Sequence, residues 1–193
     1  LAATLCPEER SRAEALRLPL ARARWIAARG LLRQVLGEHL GRDPAGLRFT
    51  VAARGKPALA DAELSFNLSH SGALVLIAVA ARGALGVDVE GLRPVHGAAR
   101  LAHRYFTPAE YAAYAQAPGP EQDATFLRLW TCKEAVLKAT GEGLGAALGG
   151  VEVRLDPGGS VMLLRLGGRR TPPGWFLRVW TPRPGYLAAL AGS

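Results

Sequence analysis

A long apolar-striped helix followed by a train of short strands, occurring twice in one chain, limits this sequence to few architectures. From Ala21 to Leu40, the residues Trp25, Ala28, Leu32, Val35, Leu36 and Leu40 recur at helical spacing, and Gly41 can end the helix. Strand-like runs follow at Leu47–Ala52, near Leu64–Leu68, at Leu74–Ala80 and at Gly86–Glu90, separated by the breakers ARGKP, HSG and ARGAL. The order then returns. Thr107-Pro108-Ala109-Glu110 is a capping box that opens a short helix to about Ala117, and APGPEQD breaks it. Asp123–Thr140 is the longest helical pattern of this half and stops at Gly141. Strands are predicted at Val151–Leu155, Val161–Leu166, Trp175–Trp180 and Tyr186–Ala191. The chain therefore reads as α+β, with a seam near residues 91–100 that divides it into subdomains 1–95 and 96–193. No residue-level repeat accompanies the duplicated order.

With 193 residues, a chain can bury about 70% of its unfolded surface. No apolar run approaches the length of a membrane span, and no signal-peptide pattern opens the chain. The first residue, Leu1, is not a methionine, which predicts a short missing N-terminal piece. Cys6 and Cys132 lie far apart with no CxxC partner, so neither a disulfide framework nor a cysteine zinc site is indicated, and a reducing cytoplasm is expected. The formal net charge of +8 attracts polyanions. Arg22, Arg29 and Arg33 fall along one line of the first long helix, which predicts an anion-facing edge; the commoner arrangement is arginine stems packing around a helix.

GVDVE, residues 86–90, places Asp88 and Glu90 two apart in a Val-rich run. Side chains alternate along a strand, so both carboxylates share one face about 6 to 7 Å apart. Two such anions repel unless a cation joins them, and oxygen donors on one face suit Mg²⁺, which completes its shell with water and substrate phosphates. A solvated edge strand with two harmless acids fits the same pattern unless a third acid joins them. In WTCKEAVLKATGEG, residues 130–143, Glu134 and Lys138 stand one helical turn apart, beside Trp130 and Lys133 and before the glycine-rich GEGLG. As a surface pair the two charges contribute only about 0.2 to 0.5 kcal/mol. FNLSHSG, residues 66–72, brings Ser69 and His70 to a strand end. Adjacent residues on a strand point to opposite faces, which disfavours a Ser-His dyad and favours phosphate contacts, with Lys56 of RGKP nearby. Proline in RGKP rules out a P-loop.

FNLSHSG, GVDVE and WTCKEAVLKATGEGL, in this order and separation, resemble the signature of the Sfp-type 4′-phosphopantetheinyl transferases. The resemblance runs from about Pro7 through ARGLLRQVL and RGKP to the KEA helix and thins after residue 155. It implies two similar α/β subdomains related by a pseudo-twofold axis, with coenzyme A and Mg²⁺ (or Mn²⁺ in its place) in the cleft between them. It implies Asp88, Glu90 and Glu134 as metal ligands and Glu134, Lys138 and His70 as the catalytic set. Coenzyme A would be held by Arg12, Arg29, Lys56, Ser69, His70, Lys133 and Lys138. The chain lacks the N-terminal strand usual in the family before the LCPEER-like segment, and Glu9 stands where many relatives are basic. The implied activity is transfer of phosphopantetheine to a serine of an acidic acyl or peptidyl carrier protein by a monomer, with no nucleic-acid or membrane partner. The competing readings are a basic nucleic-acid-binding domain, which the 7% aromatic content disfavours as a stacking platform, and a homologue that binds coenzyme A without turnover.

Overall fold

In the computed structural model, residues 1–51, 55–143, 148–156 and 159–193 are described. The first half begins with α1 (Pro7–Glu14) and α2 (Pro19–Leu40). Both start with proline at the first helical position, where its missing N–H is no loss. Gly41, at φ 61°, ends α2 in the left-handed conformation that costs a glycine nothing. The strands β1 (Phe49–Val51) and β2 (Pro57–Leu59) pair with each other, as do β3 (Ser65–Ser71) and β4 (Leu74–Ala80). The strand β5 (Leu85–Gly91) closes this half in sequence. The second half holds α3 (Ala98–Tyr105), α4 (Pro108–Gln116) and α5 (Gly119–Thr140). Five strands follow: β6 (Glu152–Leu155), β7 (Val161–Leu166), β8 (Arg169–Arg170), β9 (Phe176–Trp180) and β10 (Tyr186–Gly192).

The fold is mixed α and β, as the element order indicates. Among the described residues, four elements escaped the pattern: α1, α3, β2 and the two-residue β8. The helix α5 starts four residues earlier than its apolar periodicity, because Gly119 and Pro120 occupy the first turn, where unpaired N–H groups make proline harmless. The predicted strand Leu47–Ala52 is shorter than expected at Phe49–Val51 among the described residues, and position 52 lies outside them.

Among the described residues, apolar side chains gather in two cores. The larger one packs α5 (Phe126, Leu129, Val136) against α4, β6, β9 and β10. The smaller one packs Leu32 and Leu36 of α2 on Leu47 and Phe66. The strand β10 joins the halves: it runs antiparallel to β5, with Ala189 opposite Asp88, and pairs on its other side with β9. The α5 backbone lies directly on β5. A Cβ at Gly86 would come within 2.1 Å of the Ala135 carbonyl oxygen and 2.3 Å of the Ala139 amide nitrogen. Gly86→Ala is therefore expected to pry β5 from α5 and lower stability by about 3 kcal/mol, read by urea denaturation. No described helix is long and apolar enough to cross a membrane.

Candidate functional site

The strand β5 and the second half of α5 face each other, and their polar residues meet at this contact. Lys138 donates to Asp88 Oδ1 at 2.6 Å and to Ser69 Oγ at 3.0 Å. Ser69 Oγ in turn donates to the same Asp88 Oδ1 at 2.8 Å. The other oxygen, Asp88 Oδ2, is buried and has no hydrogen-bond partner among the described residues. Glu90 accepts from Ser71 at 3.2 Å and from Arg93 at 3.3 Å.

Glu134 is 6% exposed, and its pKa is raised to about 7. Burial is the largest cause, followed by the repulsion of Asp88; Lys138 opposes the rise, Glu90 adds to it, and a hydrogen bond from the Trp130 side chain works against it. The folded protein thus holds this proton more tightly than the unfolded chain does. The stability that Glu134 contributes is present below its ordinary value of 4.5 and is lost as pH rises through about 7. The stability difference between the metal-free wild type and Glu134→Gln should therefore fall by roughly 3 kcal/mol between pH 4.5 and 8, measured by urea denaturation at both.

Two cavities adjoin this cluster. One, of about 250 Å³, is lined by Lys56, Pro57, Glu134, Lys138, Gly141 and Gly143 among others. The second, of about 720 Å³, lies over the α2 half and brings together Arg12, Arg29 and His70 with Phe49 and Trp25. Both share Gly55 and Pro57. Arg29 stands 4.0 Å over the Phe49 ring and pairs with Glu9. Arg12 and His70 are exposed.

Lys56 reaches across to the carbonyl oxygens of Leu85 at 2.9 Å and Ala139 at 3.2 Å, and burial holds its pKa below the ordinary lysine value. Arg54 of RGKP and residues 144 and 145 of GEGLG lie outside the described residues.

Several sequence expectations are corrected here. Lys133, expected at the coenzyme A phosphates, is fully buried; its ammonium donates to Glu110 at 2.7 Å and to the Val151 carbonyl. It points to the other side of α5, because adjacent helical residues are turned about 100° apart. Two members of the arginine line on α2 serve the protein's own acceptors, whereas Arg29, though paired with Glu9, also lines the larger cavity. Arg33, 1% exposed, binds Glu9 and the Pro44 and Leu47 carbonyls, and Arg22 binds the Glu14 and Leu16 carbonyls. Trp130 stacks on Phe126 in the larger core. Two residues have roles that the sequence did not assign to them. Glu9 holds both Arg29 and Arg33, and Ser71 holds Glu90; the polar alternation Asn67, Ser69, Ser71 was the available signal for the latter.

Among the described residues, no group of three or more His, Cys, Asp and Glu is already gathered around one point. The donor chemistry nonetheless suits a divalent cation. Asp88 offers a buried oxygen with no partner among the described residues, and Glu134 is held partly protonated by burial first and then by the two acids beside it. A hard cation would satisfy the first and relieve the second.

Comparison with known proteins adds the following. The model of the 4′-phosphopantetheinyl transferase superfamily matches residues 84–191. The chain is 42% identical over 195 residues to the 4′-phosphopantetheinyl transferase HetI of Nostoc sp., covering 99% of this chain and 79% of that protein. It is 38% identical to a 4′-phosphopantetheinyl transferase of Bacillus subtilis, covering 69% of this chain and 58% of the relative. Its identity to the 4′-phosphopantetheinyl transferase Sfp of the same species is 30%, over 84% of this chain and 70% of the relative. A holo-(acyl-carrier-protein) synthase of Bacillus anthracis, solved with CoA (3′,5′-ADP), aligns with a TM-score of 0.47 at 21% identity, over 56% of this chain and 93% of that one.

Proposed function

This chain belongs to the 4′-phosphopantetheinyl transferase superfamily, and from that membership we propose that it transfers the phosphopantetheine arm of coenzyme A to a serine of an acyl or peptidyl carrier protein. The observation that carries the reading is the meeting of Asp88, Ser69 and Lys138 beside Glu134, where β5 packs on α5. The subdomains 1–95 and 96–193 would flank this cleft.

In the reaction the carrier serine oxygen forms a bond to the β-phosphorus of the coenzyme A diphosphate. The bond from that phosphorus to the bridging oxygen breaks, and 3′,5′-ADP leaves. Glu134, beside Asp88 and Lys138 in the cluster, accepts the serine proton on its carboxylate. Lys138, 29% exposed, is placed to neutralise the departing phosphate. Arg12, Arg29 and His70 hold the nucleotide's other phosphate from the larger cavity, with Lys56 at the boundary between the two. Asp88, Glu90 and Glu134 would hold Mg²⁺, or Mn²⁺ in its place, which when bound neutralises charge on the diphosphate. Ser69 and Lys133 are left out of the coenzyme A set, since their polar atoms are engaged inside the protein.

A net charge of +8 favours encounter with acidic carriers. We place the reaction in the cytoplasm, where Cys6 and Cys132, both free thiols, stay reduced, and assign it to the monomer, since β3, β5 and α5 of one chain supply the whole cluster. Incubation with coenzyme A, Mg²⁺ and a panel of apo carriers, followed by intact mass spectrometry, tests the reading. The expected result is a carrier heavier by one phosphopantetheine; every carrier unmodified would refute it.

A further inference from the structure

The strand β3 meets β5 in an unusual way. Among the described residues its backbone ladder is with β4 alone. Toward β5 it presents Asn67, Ser69 and Ser71, alternate residues of one face. Their side-chain oxygens accept the amide N–H of Val87 at 2.9 Å, Val89 at 3.3 Å and Gly91 at 3.1 Å. Both strands repeat every two residues, so the same offset holds at each rung. Two of the rungs carry an addition. Ser69 donates its proton to Asp88 at 2.8 Å, and Ser71 donates its proton to Glu90 at 3.2 Å. At the Asn67 rung the matching β5 position is Gly86, which has no carboxylate.

A hydroxyl has one proton and two lone pairs. The proton of Ser69 lies on Asp88, and its lone pairs take the Val89 amide and Lys138. It is therefore saturated and has nothing left for a phosphate. The effect falls on the acid instead. Ser69 and Lys138 converge on Oδ1 of Asp88, leaving Oδ2 buried and, among the described residues, unpartnered.

We propose that Ser69 and Ser71 are positioning residues that clamp Asp88 and Glu90: each accepts the peptide N–H after the acid and donates to its carboxylate, turning the other oxygen toward a divalent cation. The inference rests on the cation assignment made for the proposed function. Asn67 performs the backbone half of the task alone and serves as an internal control.

The test measures Mn²⁺ binding to the purified full chain, with and without coenzyme A, by loss of the free-ion paramagnetic resonance signal. Ser69→Ala and Ser71→Ala are each expected to weaken Mn²⁺ binding about tenfold or more, the usual effect of removing a group that orients a ligand. Ser69→Thr and Ser71→Thr, which keep the hydroxyl, should recover affinity to within about threefold. Asn67→Ala should lower the melting temperature as Ser69→Ala does and change Mn²⁺ affinity by less than about twofold. Should Ser69→Ala fail to fold, the Ser71 variants and Ser69→Thr carry the comparison. Equal weakening by Asn67→Ala, unchanged affinity in the serine-to-alanine variants, or a wild type that binds no Mn²⁺ overturns the proposal. A wild type that shows this order of affinities yet modifies no carrier supports the clamp and refutes the transferase reading.

Discussion

Glu134→Gln leaves a coexpressed apo carrier at its unmodified mass, with transfer slowed by about 10² to 10⁴-fold, the usual contribution of a positioned proton acceptor. Glutamine keeps the shape of the side chain and an oxygen able to accept the hydrogen bond from Trp130, but it cannot take a proton. The fold should survive, because the site already favours the neutral form: burial and the acids at 88 and 90 push the pKa of Glu134 up to about 7. Near neutral pH, a melting temperature at or above that of the wild type, together with lost transfer, separates chemistry from folding. Full carrier modification by the Glu134→Gln enzyme would remove Glu134 from the assigned role.

Glu110→Ala is expected to give the largest loss of stability, about 3 to 5 kcal/mol by urea denaturation. Glu110 is 1% exposed and Lys133 is fully buried. The carboxylate accepts from Lys133 at 2.7 Å, from the Thr107 amide at 2.8 Å and from the Val153 amide at 2.8 Å. It thus ties α4, α5 and β6 together at one point. Burial already holds the Lys133 pKa below its ordinary value, with Glu110 opposing that fall. Without Glu110, an ammonium remains inside with only the Val151 carbonyl, and two amides lose their acceptor. Adding Lys133→Met should recover part of the loss by removing the stranded charge. If Glu110→Ala alone unfolds no more easily than the wild type, the pair contributes nothing to the fold.

The two long helices were legible because each has an apolar rhythm ended by a glycine in the left-handed conformation, Gly41 and Gly141. The helix α1 was not, since PEERSRAE buries only Glu9 and Ala13 and carries no apolar stripe. Its Glu9 is held instead by Arg29 and Arg33 from twenty or more residues away. Within the site, the shared face of Asp88 and Glu90 follows from strand alternation, and both contact β3 serines from that face. The direction of Lys133 could not be read in the same way. Every residue from Thr131 to Leu137 is buried, so that stretch of α5 has no wet side to mark which face meets the cleft.

The sequence by itself determined the order of helices and strands, the side-by-side acids on β5, and the helical spacing of Glu134 and Lys138, because these depend on local periods of two and about 3.6 residues. Only the tertiary structure decided which charges face outward toward a ligand and which are held within. Lys138 meets Asp88 across 50 residues, whereas Lys133 meets Glu110 on the opposite side of the same helix. The physical reason is that a buried charge must find its partner wherever packing places one, and partners distant in sequence leave no local period to read.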